Sequence, residues 1–349
     1  MIVPLLLVIL GQSPVDNAPP PKASANPALT RGDVPLAPAL SEFQGLPVRR
    51  IEQRWSDGSL RRVHYVRADV SGPAVEHGPD LRWHENLELA SRRSWVLGQQ
   101  TGLSEEFWPS AYPKSAGQYV DDDKRGTWIG WHEDGTPAVV CDYKDGLRDG
   151  VERRWFASAR PHSECGYRAG LREGLFVQWV GSGLKLREEH YQAGVLDGVF
   201  CEYDEKGEPK NAGLYRLGKE EGLWKRTEPD GSRVEESFVA GVLEGPRRQF
   251  SAEGVLLQSG AYRAGRAEGL HELFHSDGKP FQSLTYAAGE LSGPWLQRGQ
   301  DGRVEVEGQM RQGKREGEWR YYKADGSLDR EWSGRYESDK KVADLEVRR

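Results

Sequence analysis

The amino-acid sequence predicts an all-β fold, an elongated single-layer antiparallel β-meander built from about eleven hairpin repeats of 24 residues. Glycine supplies 42 of the 349 residues, about 12% against a usual share of roughly 7%. Hydrophobic residues make up 37% and charged residues 29%, which is too little apolar material for one thick core. The 12 Trp, 13 Tyr and 9 Phe exclude disorder throughout the chain.

The glycines recur at a fixed interval. Pairs of glycines four residues apart, such as 218–222 and 313–317, repeat along most of the chain. The second glycine of each pair, or the single glycine in its place, is called position 0 below. Nine of the ten intervals between these glycines are 24 residues and one is 23, which predicts a repeat architecture. Position 0 is occupied by Gly78, Gly102, Gly126, Gly150, Gly174, Gly198, Gly222, Gly245, Gly269, Gly293 and Gly317.

Each repeat is predicted to be one hairpin. Asp-Gly pairs such as Asp230-Gly231 and Asp277-Gly278 lie at the end of several repeats and favour tight hairpin turns. Between the turns lie short segments that mix aromatic and charged residues, which predicts about 22 strands of about five to seven residues. The glycine pair is predicted to form the second turn, which joins one hairpin to the next.

Aromatic residues follow the same period. They lie three residues before the first glycine and at positions +2 and +5, and +2 and +5 face opposite sides of a regular strand. One interpretation is structural, with rings packed over glycines of the neighbouring strand. The other is an exposed stripe that binds a ligand or partner. The predicted binding residues are the aromatics at position +2: Trp128, Phe176, Phe200, Trp224, Trp295 and Trp319.

The pattern Tyr-x-x-Gly-x-x-x-Gly-x-Trp-x-x-Tyr-x-x-x-Gly resembles the MORN repeat, in the variant form of bacterial YwqK-type antitoxins. Residues 310–328 match it best, and the resemblance covers residues 78–340. It implies an elongated array of hairpins that serves as a binding or scaffolding surface. Residues 45–77 keep only part of the pattern and are predicted to form a divergent N-terminal cap.

The two ends of the chain differ from the array in composition. Residues 1–11 contain the apolar run Ile2–Leu10 and are predicted to be a signal peptide. Residues 12–44 are rich in Pro and Ala and are predicted to be a disordered linker, and residues 341–349 a charged tail. Export to the periplasm or cell envelope is therefore expected, with a cytoplasmic location as the alternative.

Candidate catalytic motifs find a structural explanation in the repeat. His271-Glu272-Leu273-Phe274-His275 matches H-E-x-x-H, which binds zinc only on a helix. In the predicted strand, the two histidines lie about 13 Å apart and cannot share a metal ion. The three cysteines, Cys141, Cys165 and Cys201, are predicted to be free. We therefore expect no enzyme activity, no cofactor and no metal.

The sequence thus predicts a non-enzymatic scaffold that binds another protein through an extended β surface. One alternative is an envelope module for polysaccharide or phospholipid headgroups, and another is an antitoxin-like protein that neutralises a toxin. The net charge of −6 disfavours nucleic acid as a partner. The sequence does not indicate the oligomeric state.

Overall fold

The computed structural model describes residues 19–23 and 40–345, and this part of the chain forms 28 β-strands and no helix. The chain divides into two compact units, Met1–Val195 and Leu196–Arg349, which are described separately. The strands of the first unit are β1 (Glu42–Phe43), β2 (Leu46–Arg54), β3 (Leu60–Arg67), β4 (Glu76–Trp83), β5 (Leu89–Val96), β6 (Gln99–Gln100), β7 (Gly102–Phe107), β8 (Pro113–Val120), β9 (Asp123–Trp131), β10 (Pro137–Lys144), β11 (Leu147–Arg148), β12 (Gly150–Trp155), β13 (Pro161–Arg168), β14 (Leu171–Trp179) and β15 (Lys185–Gln192).

The second unit continues the same architecture, and its first strand begins at Val195. Its strands are β16 (Val195–Tyr203), β17 (Pro209–Arg216), β18 (Lys219–Thr227), β19 (Arg233–Val239), β20 (Val242–Phe250), β21 (Leu256–Arg263), β22 (Arg266–Phe274), β23 (Pro280–Ala287), β24 (Glu290–Arg298), β25 (Val304–Arg311), β26 (Lys314–Tyr321), β27 (Gly334–Glu337) and β28 (Lys340–Ala343).

Within each unit, consecutive strands pair antiparallel, except that β6 and β7 both pair with β5, and β11 and β12 both pair with β10. The first unit shows this from β12 to β15, and the second from β16 to β28. The two-residue strands β6 and β11 pair with the same neighbours as β7 and β12, which continue them. The predicted all-β meander of consecutive hairpins is confirmed.

The glycine pair does not form a single turn, which corrects the prediction. Leu217 (φ 51°) and Gly218 (φ 76°) make a two-residue turn on their own, as primed hairpin turns require. Gly222 then lies inside β18 at φ 67°, a conformation that glycine adopts without strain. Because the strand runs through the second glycine, β18 has nine residues rather than the predicted five to seven.

The Asp-Gly turns close the other end of each hairpin. The carboxylate oxygen Oδ1 of Asp230 accepts a hydrogen bond of 2.8 Å from the backbone N–H of Ser232. Oδ1 of Asp277 accepts one of 3.1 Å from Lys279 in the same way. Aspartate is therefore favoured here because its side chain holds its own turn.

The N-terminal part of the first unit has a compact apolar cluster. Its buried members lie on β2, β3, β4, β5 and β7, so the predicted cap at 45–77 continues the meander into the array. His77 links distant parts of this region, because its ring nitrogens lie 2.9 Å from the Phe43 carbonyl oxygen and 3.1 Å from the Leu97 nitrogen. The buried residues of the cluster are Val48, Val63, Tyr65, Trp83, Leu89 and Phe107.

Two predicted terminal segments differ from expectation where the structure describes them. Residues 19–23 belong to the predicted disordered linker, yet Ala23 is buried against the sheet of the first unit. At the C terminus, β28 extends to Ala343, three residues beyond the predicted end of the array. The predicted signal peptide at 1–11 lies outside the described residues. Within the described segments, there is no helix with the length and apolar character needed to cross a membrane.

Candidate functional site

The repeat gives the sheet two chemically different faces. Successive side chains of a strand point to opposite faces, so position +2 lies on one face and positions +1, +3 and +5 lie on the other. We call the face that carries position +2 face A, and the face that carries positions +1, +3 and +5 face B.

On face A of the second unit, large rings pack over glycines of the preceding strand. A Cβ atom added to Gly213 would lie 2.3 Å from the Trp224 ring, and one added to Gly308 would lie 2.3 Å from the Trp319 ring. The indole N–H of Trp224 also donates a hydrogen bond of 3.1 Å to the Leu214 carbonyl oxygen. The absence of a side chain at these glycines therefore makes the space that the ring fills.

The rings of face A also contact one another. Trp224 lies 5.0 Å from Tyr215 in an edge-to-face arrangement and 5.6 Å from Phe200, measured between ring centroids. Such pairs stabilise a fold by about 0.5–1.5 kcal/mol beyond the area they bury. The first unit has the same arrangement at Trp128, whose ring lies over Gly117 and 5.1 Å from Tyr119.

Most of the predicted binding rings are therefore buried, which agrees with the structural interpretation of the aromatic pattern. The other interpretation, in which these rings form an exposed stripe, is wrong for the buried rings. Trp224 is 0% exposed because its ring occupies the space over Gly213. Trp295 is half-buried, and the residue that faces it on the preceding strand is Leu284 instead of a glycine. The other rings, which are also buried, are Trp128, Phe176, Phe200 and Trp319.

On face B of the second unit, position +1 is exposed instead. Leu223 and Leu270 occupy position +1 of their repeats and are 49% and 56% exposed. Pro246 and Pro294 occupy the same position in the other repeats and are also exposed. Equivalent positions lie two strands apart, about 9.6 Å, so these side chains form a row across the unit. We call it the apolar row, and it consists of Val199, Leu223, Pro246, Leu270 and Pro294.

Charged side chains lie beside the apolar row at position +3. Lys225, Arg248 and Glu272 occupy this position, and Lys225 pairs with Glu235 on the next strand at 3.9 Å. An apolar strip with a polar border is typical of surfaces that bind other macromolecules.

The first repeat of the first unit buries a charged residue on face A instead of a ring. Asp80 occupies position +2 there and is fully buried. Its carboxylate accepts hydrogen bonds of 2.8 and 2.9 Å from Arg62 and one of 3.2 Å from Arg82. Burial acts to raise the pKa of Asp80, but the two arginines outweigh it and hold the pKa below its ordinary value. Burial lowers the pKa of the neighbouring His64.

Sequence reasoning missed the role of the acidic residue directly before position 0. The Glu221 carboxylate accepts a hydrogen bond of 2.9 Å from the Ala240 N–H in the following turn, and Glu244 accepts one of 2.7 Å from Ala264. Each carboxylate thus ties one turn to the next. The recurrence of Asp or Glu at this position was the available signal. The same bond is made by Asp149, Glu173, Asp197, Glu268 and Glu316.

The first four residues of the H-E-x-x-H motif lie on a strand, as predicted, and His275 directly follows the end of that strand. His271 lies in β22, and its ring packs over Gly260. Its Nε2 lies 2.8 Å from the Ala261 carbonyl oxygen, which leaves this nitrogen as a hydrogen-bond donor to the backbone. His271 therefore fills position +2 in the same way as the tryptophans. Among residues 19–23 and 40–345, no cluster of His, Cys, Asp or Glu is arranged to hold a metal ion.

The three cysteines are free and buried. Cys141 pairs with Trp128 and Cys165 with Phe176 across neighbouring strands. Burial raises the pKa of the Cys141 thiol to about 12, and it also raises the pKa of Cys165. A thiol that stays protonated is a poor nucleophile, so these two side chains serve as small packing groups beside the rings.

No protein-family model matches the chain, and no curated protein matches it. Among solved structures, the Photorhabdus luminescens Tc holotoxin pore is 13% identical, with 81% of this chain and 18% of that chain covered and a TM-score of 0.18. The TcdB2–TccC3 complex is 13% identical, with 86% and 18% covered and a TM-score of 0.18. This chain spans less than a fifth of either structure, and similarity at this level supports no argument about its fold or function.

Proposed function

We propose that the protein is a non-enzymatic scaffold and that it binds another protein through the apolar row on face B of the second unit. The observation that carries the proposal is the repetition of exposed apolar side chains at one repeat position, exemplified by Leu223 and Leu270. Exposed apolar residues scattered singly are ordinary, but a contiguous strip with a polar border marks a binding surface.

The energetics favour such a role. Complete burial of one leucine side chain contributes about 1.5–3 kcal/mol, so several members of the row together can supply the core of an interface. The charged residues at position +3 would form the rim, where they set the orientation of the partner more than its affinity. The resemblance to MORN repeats, which implies a binding or scaffolding surface, agrees with this proposal.

The two alternatives receive less support from the geometry. Recognition of sugars or headgroups by ring stacking needs exposed rings, whereas Trp224 and Trp319 are buried. A toxin could be the protein that binds this surface, so the antitoxin-like function is a special case of the proposal. Export to the periplasm or cell envelope stays a proposal that only the apolar run at 2–10 supports.

Site-specific photocrosslinking in the native cell tests the proposal. A photoreactive amino acid at position 223 or 270 of the full chain is expected to yield a covalent adduct with one defined protein. The matched control is position 217, where Leu217 is 75% exposed but lies in a turn outside the row. Leu223→Asp combined with Leu270→Asp should abolish copurification of that protein, while Leu217→Asp should leave it intact. Adducts with glycan or lipid alone, or equal adducts from all three positions, would refute the proposal.

A further inference from the structure

Part of the proline-rich N-terminal segment lies against the sheet of the first unit. Ala23 is only 8% exposed, and its backbone N–H donates a hydrogen bond of 2.9 Å to the Gly135 carbonyl oxygen. Its side chain packs in a cluster with Ala116, Ile129 and Trp131. The segment therefore occupies a defined binding site on face B, which we call the seat.

This seat is apolar where other hairpins are charged. Ala116 pairs with Ile129, and Ile129 pairs with Val140 on the next strand. The corresponding positions of several other hairpins carry a cross-strand ion pair, which would make such a seat unfavourable to an apolar side chain. These ion pairs are Arg92–Glu105, Arg153–Glu164, Lys225–Glu235 and Glu307–Arg320.

A turn glycine also allows the segment to approach closely. Gly135 has φ 81°, and an added Cβ would lie 2.7 Å from the Ala23 carbonyl oxygen and 2.5 Å from Cδ1 of Tyr112. Gly302 occupies the equivalent turn of another repeat at φ 85°, and an added Cβ there would have no atom within 4 Å. The crowding at Gly135 thus comes from the docked segment and Tyr112, and not from the turn itself.

The composition of the segment suits this mode of binding. Pro19, Pro20 and Pro21 have no backbone N–H to satisfy and a restricted φ, so little conformational entropy is lost when they dock. Aromatic side chains are the usual surface for extended proline-rich peptides, and Tyr112 and Trp131 supply them here. The positive charge of Lys22 acts to lower the pKa of Asp134, so the electrostatic interaction between the segment and the turn is favourable.

We propose that this seat, formed by Tyr112, Ala116, Ile129, Trp131 and Gly135, is a docking site for a proline-rich, extended peptide of a partner protein. Residues 19–23 are an internal ligand that such a peptide displaces. The inference rests on the proposed function only in taking the partner to be a protein, and its surface is separate from the apolar row.

The internal ligand sets the affinity for an external one. A tethered ligand competes at an effective concentration of about millimolar, so a free peptide binds the wild-type chain weakly. If the internal ligand occupies the seat about 90–99% of the time, its removal raises the apparent affinity of a free peptide about 10–100-fold.

A fluorescent peptide with the sequence of residues 17–25 provides the test, with binding to the full chain measured by anisotropy. Ala23→Asp weakens the internal ligand by placing a charge in the apolar seat, and it should raise the apparent affinity of the free peptide at least tenfold. Pro20→Gly should act in the same direction by an independent route. A peptide with alanine in place of its three prolines should bind at least tenfold more weakly.

Two glycine variants in the Ala23→Asp background identify the seat. Gly135→Ala should abolish binding of the peptide, whereas Gly302→Ala, which has the same backbone strain, should preserve it. Unchanged affinity in both Ala23→Asp and Pro20→Gly, or equal loss in the two glycine variants, would overturn the inference. Leu223→Asp should leave peptide binding unchanged, so a failure here is distinguishable from a failure of the proposed function.

Discussion

The hairpins around Trp224 and the first hairpins of the chain use the same repeat but differ in what is buried on face A and in whether face B is covered. In the second unit, Trp224 fills face A at 0% exposure while Leu223, its neighbour in the strand, is 49% exposed on face B. In the first unit, Trp83 and Phe107 at position +5 are buried in an apolar cluster on face B, and face A carries the buried carboxylate of Asp80.

The turns and the packing are therefore specified by separate residues. Glycines and turn aspartates set the 24-residue period in both regions, whereas the residue at position +2 and the one facing it decide whether a ring or a bound charge is buried on face A. A tryptophan over a glycine closes face A and leaves the other face available to a partner. A buried aspartate bound by two arginines closes face A by charge, and the apolar cluster then forms on face B.

The largest expected effect is the loss of the ring that closes face A. Trp224→Ala removes a fully buried ring over Gly213 and should lower the free energy of unfolding of the second unit by about 3–5 kcal/mol. Amide hydrogen exchange of β17, β18 and β19 measures this locally. Leu223→Ala, one residue away on face B, should change the same quantity by less than about 0.5 kcal/mol. Equal effects of the two variants would contradict the assignment of the faces.

A smaller effect is expected from exchange of one packing pair for another. Gly213→Cys places a side chain in the space of the Trp224 ring and should cost about 1–3 kcal/mol by overpacking. Adding Trp224→Phe recreates the pair that the first unit uses at Cys165 and Phe176. The double variant should therefore be more stable than the sum of the two single changes predicts, by at least about 0.5 kcal/mol.

That pair exchange is measured by a double-mutant cycle on the unfolding free energy of the full chain. Additive effects of the two single changes would mean that position +2 and the residue facing it contribute independently to stability. The difference between the two regions could then not be explained by this pair of residues. A matched cycle with Leu223→Ala in place of Trp224→Phe should show no coupling, because Leu223 lies on the other face.

The smallest expected effect is a pH dependence confined to the first unit. Burial lowers the pKa of His64, so folding favours its neutral form. The stabilisation is complete above the ordinary histidine pKa of about 6.5 and is lost as the pH falls through the lower pKa of the folded state. Hydrogen-exchange protection of β3 and β4 should therefore decrease as the pH falls from 7.5 towards 5, after correction for intrinsic exchange. His64→Gln should remove this pH dependence of protection. An unchanged pH dependence in that variant would show that another group causes it.

Much of the fold could be predicted from the sequence because it depends on local rules. The 24-residue spacing of glycines and the Asp-Gly turns predicted a meander of hairpins, and the structure has one. The different structural roles of the two glycines in a pair were not predicted, because Gly218 and Gly222 look alike in sequence. Only the backbone shows that the first makes the turn and the second lies within β18.

The surface proposed to bind a partner was harder to predict because it depends on how the strands pair. The sequence placed positions +2 and +5 on opposite faces and allowed both a packed and an exposed interpretation of the rings, and the strand pairing shows that Gly213 leaves room for Trp224. The exposed apolar residues at position +1, such as Leu223 and Leu270, were not singled out. The docked residues 19–23 were also missed, because their composition alone is typical of a linker.

Hydroxyl-radical footprinting of the intact chain, read residue by residue by mass spectrometry, tests directly whether the rings of face A are buried and the apolar row of face B is exposed. Free tryptophan reacts with hydroxyl radicals faster than free leucine does. Burial of the rings and exposure of the apolar row should therefore act against the order of rates that intrinsic reactivity gives. We expect strong protection of Trp224 and Trp319 relative to free tryptophan, together with rates at Leu223 and Leu270 close to those of free leucine. Unprotected Trp224 with protected Leu223 would show that face A is the open surface and would contradict the account.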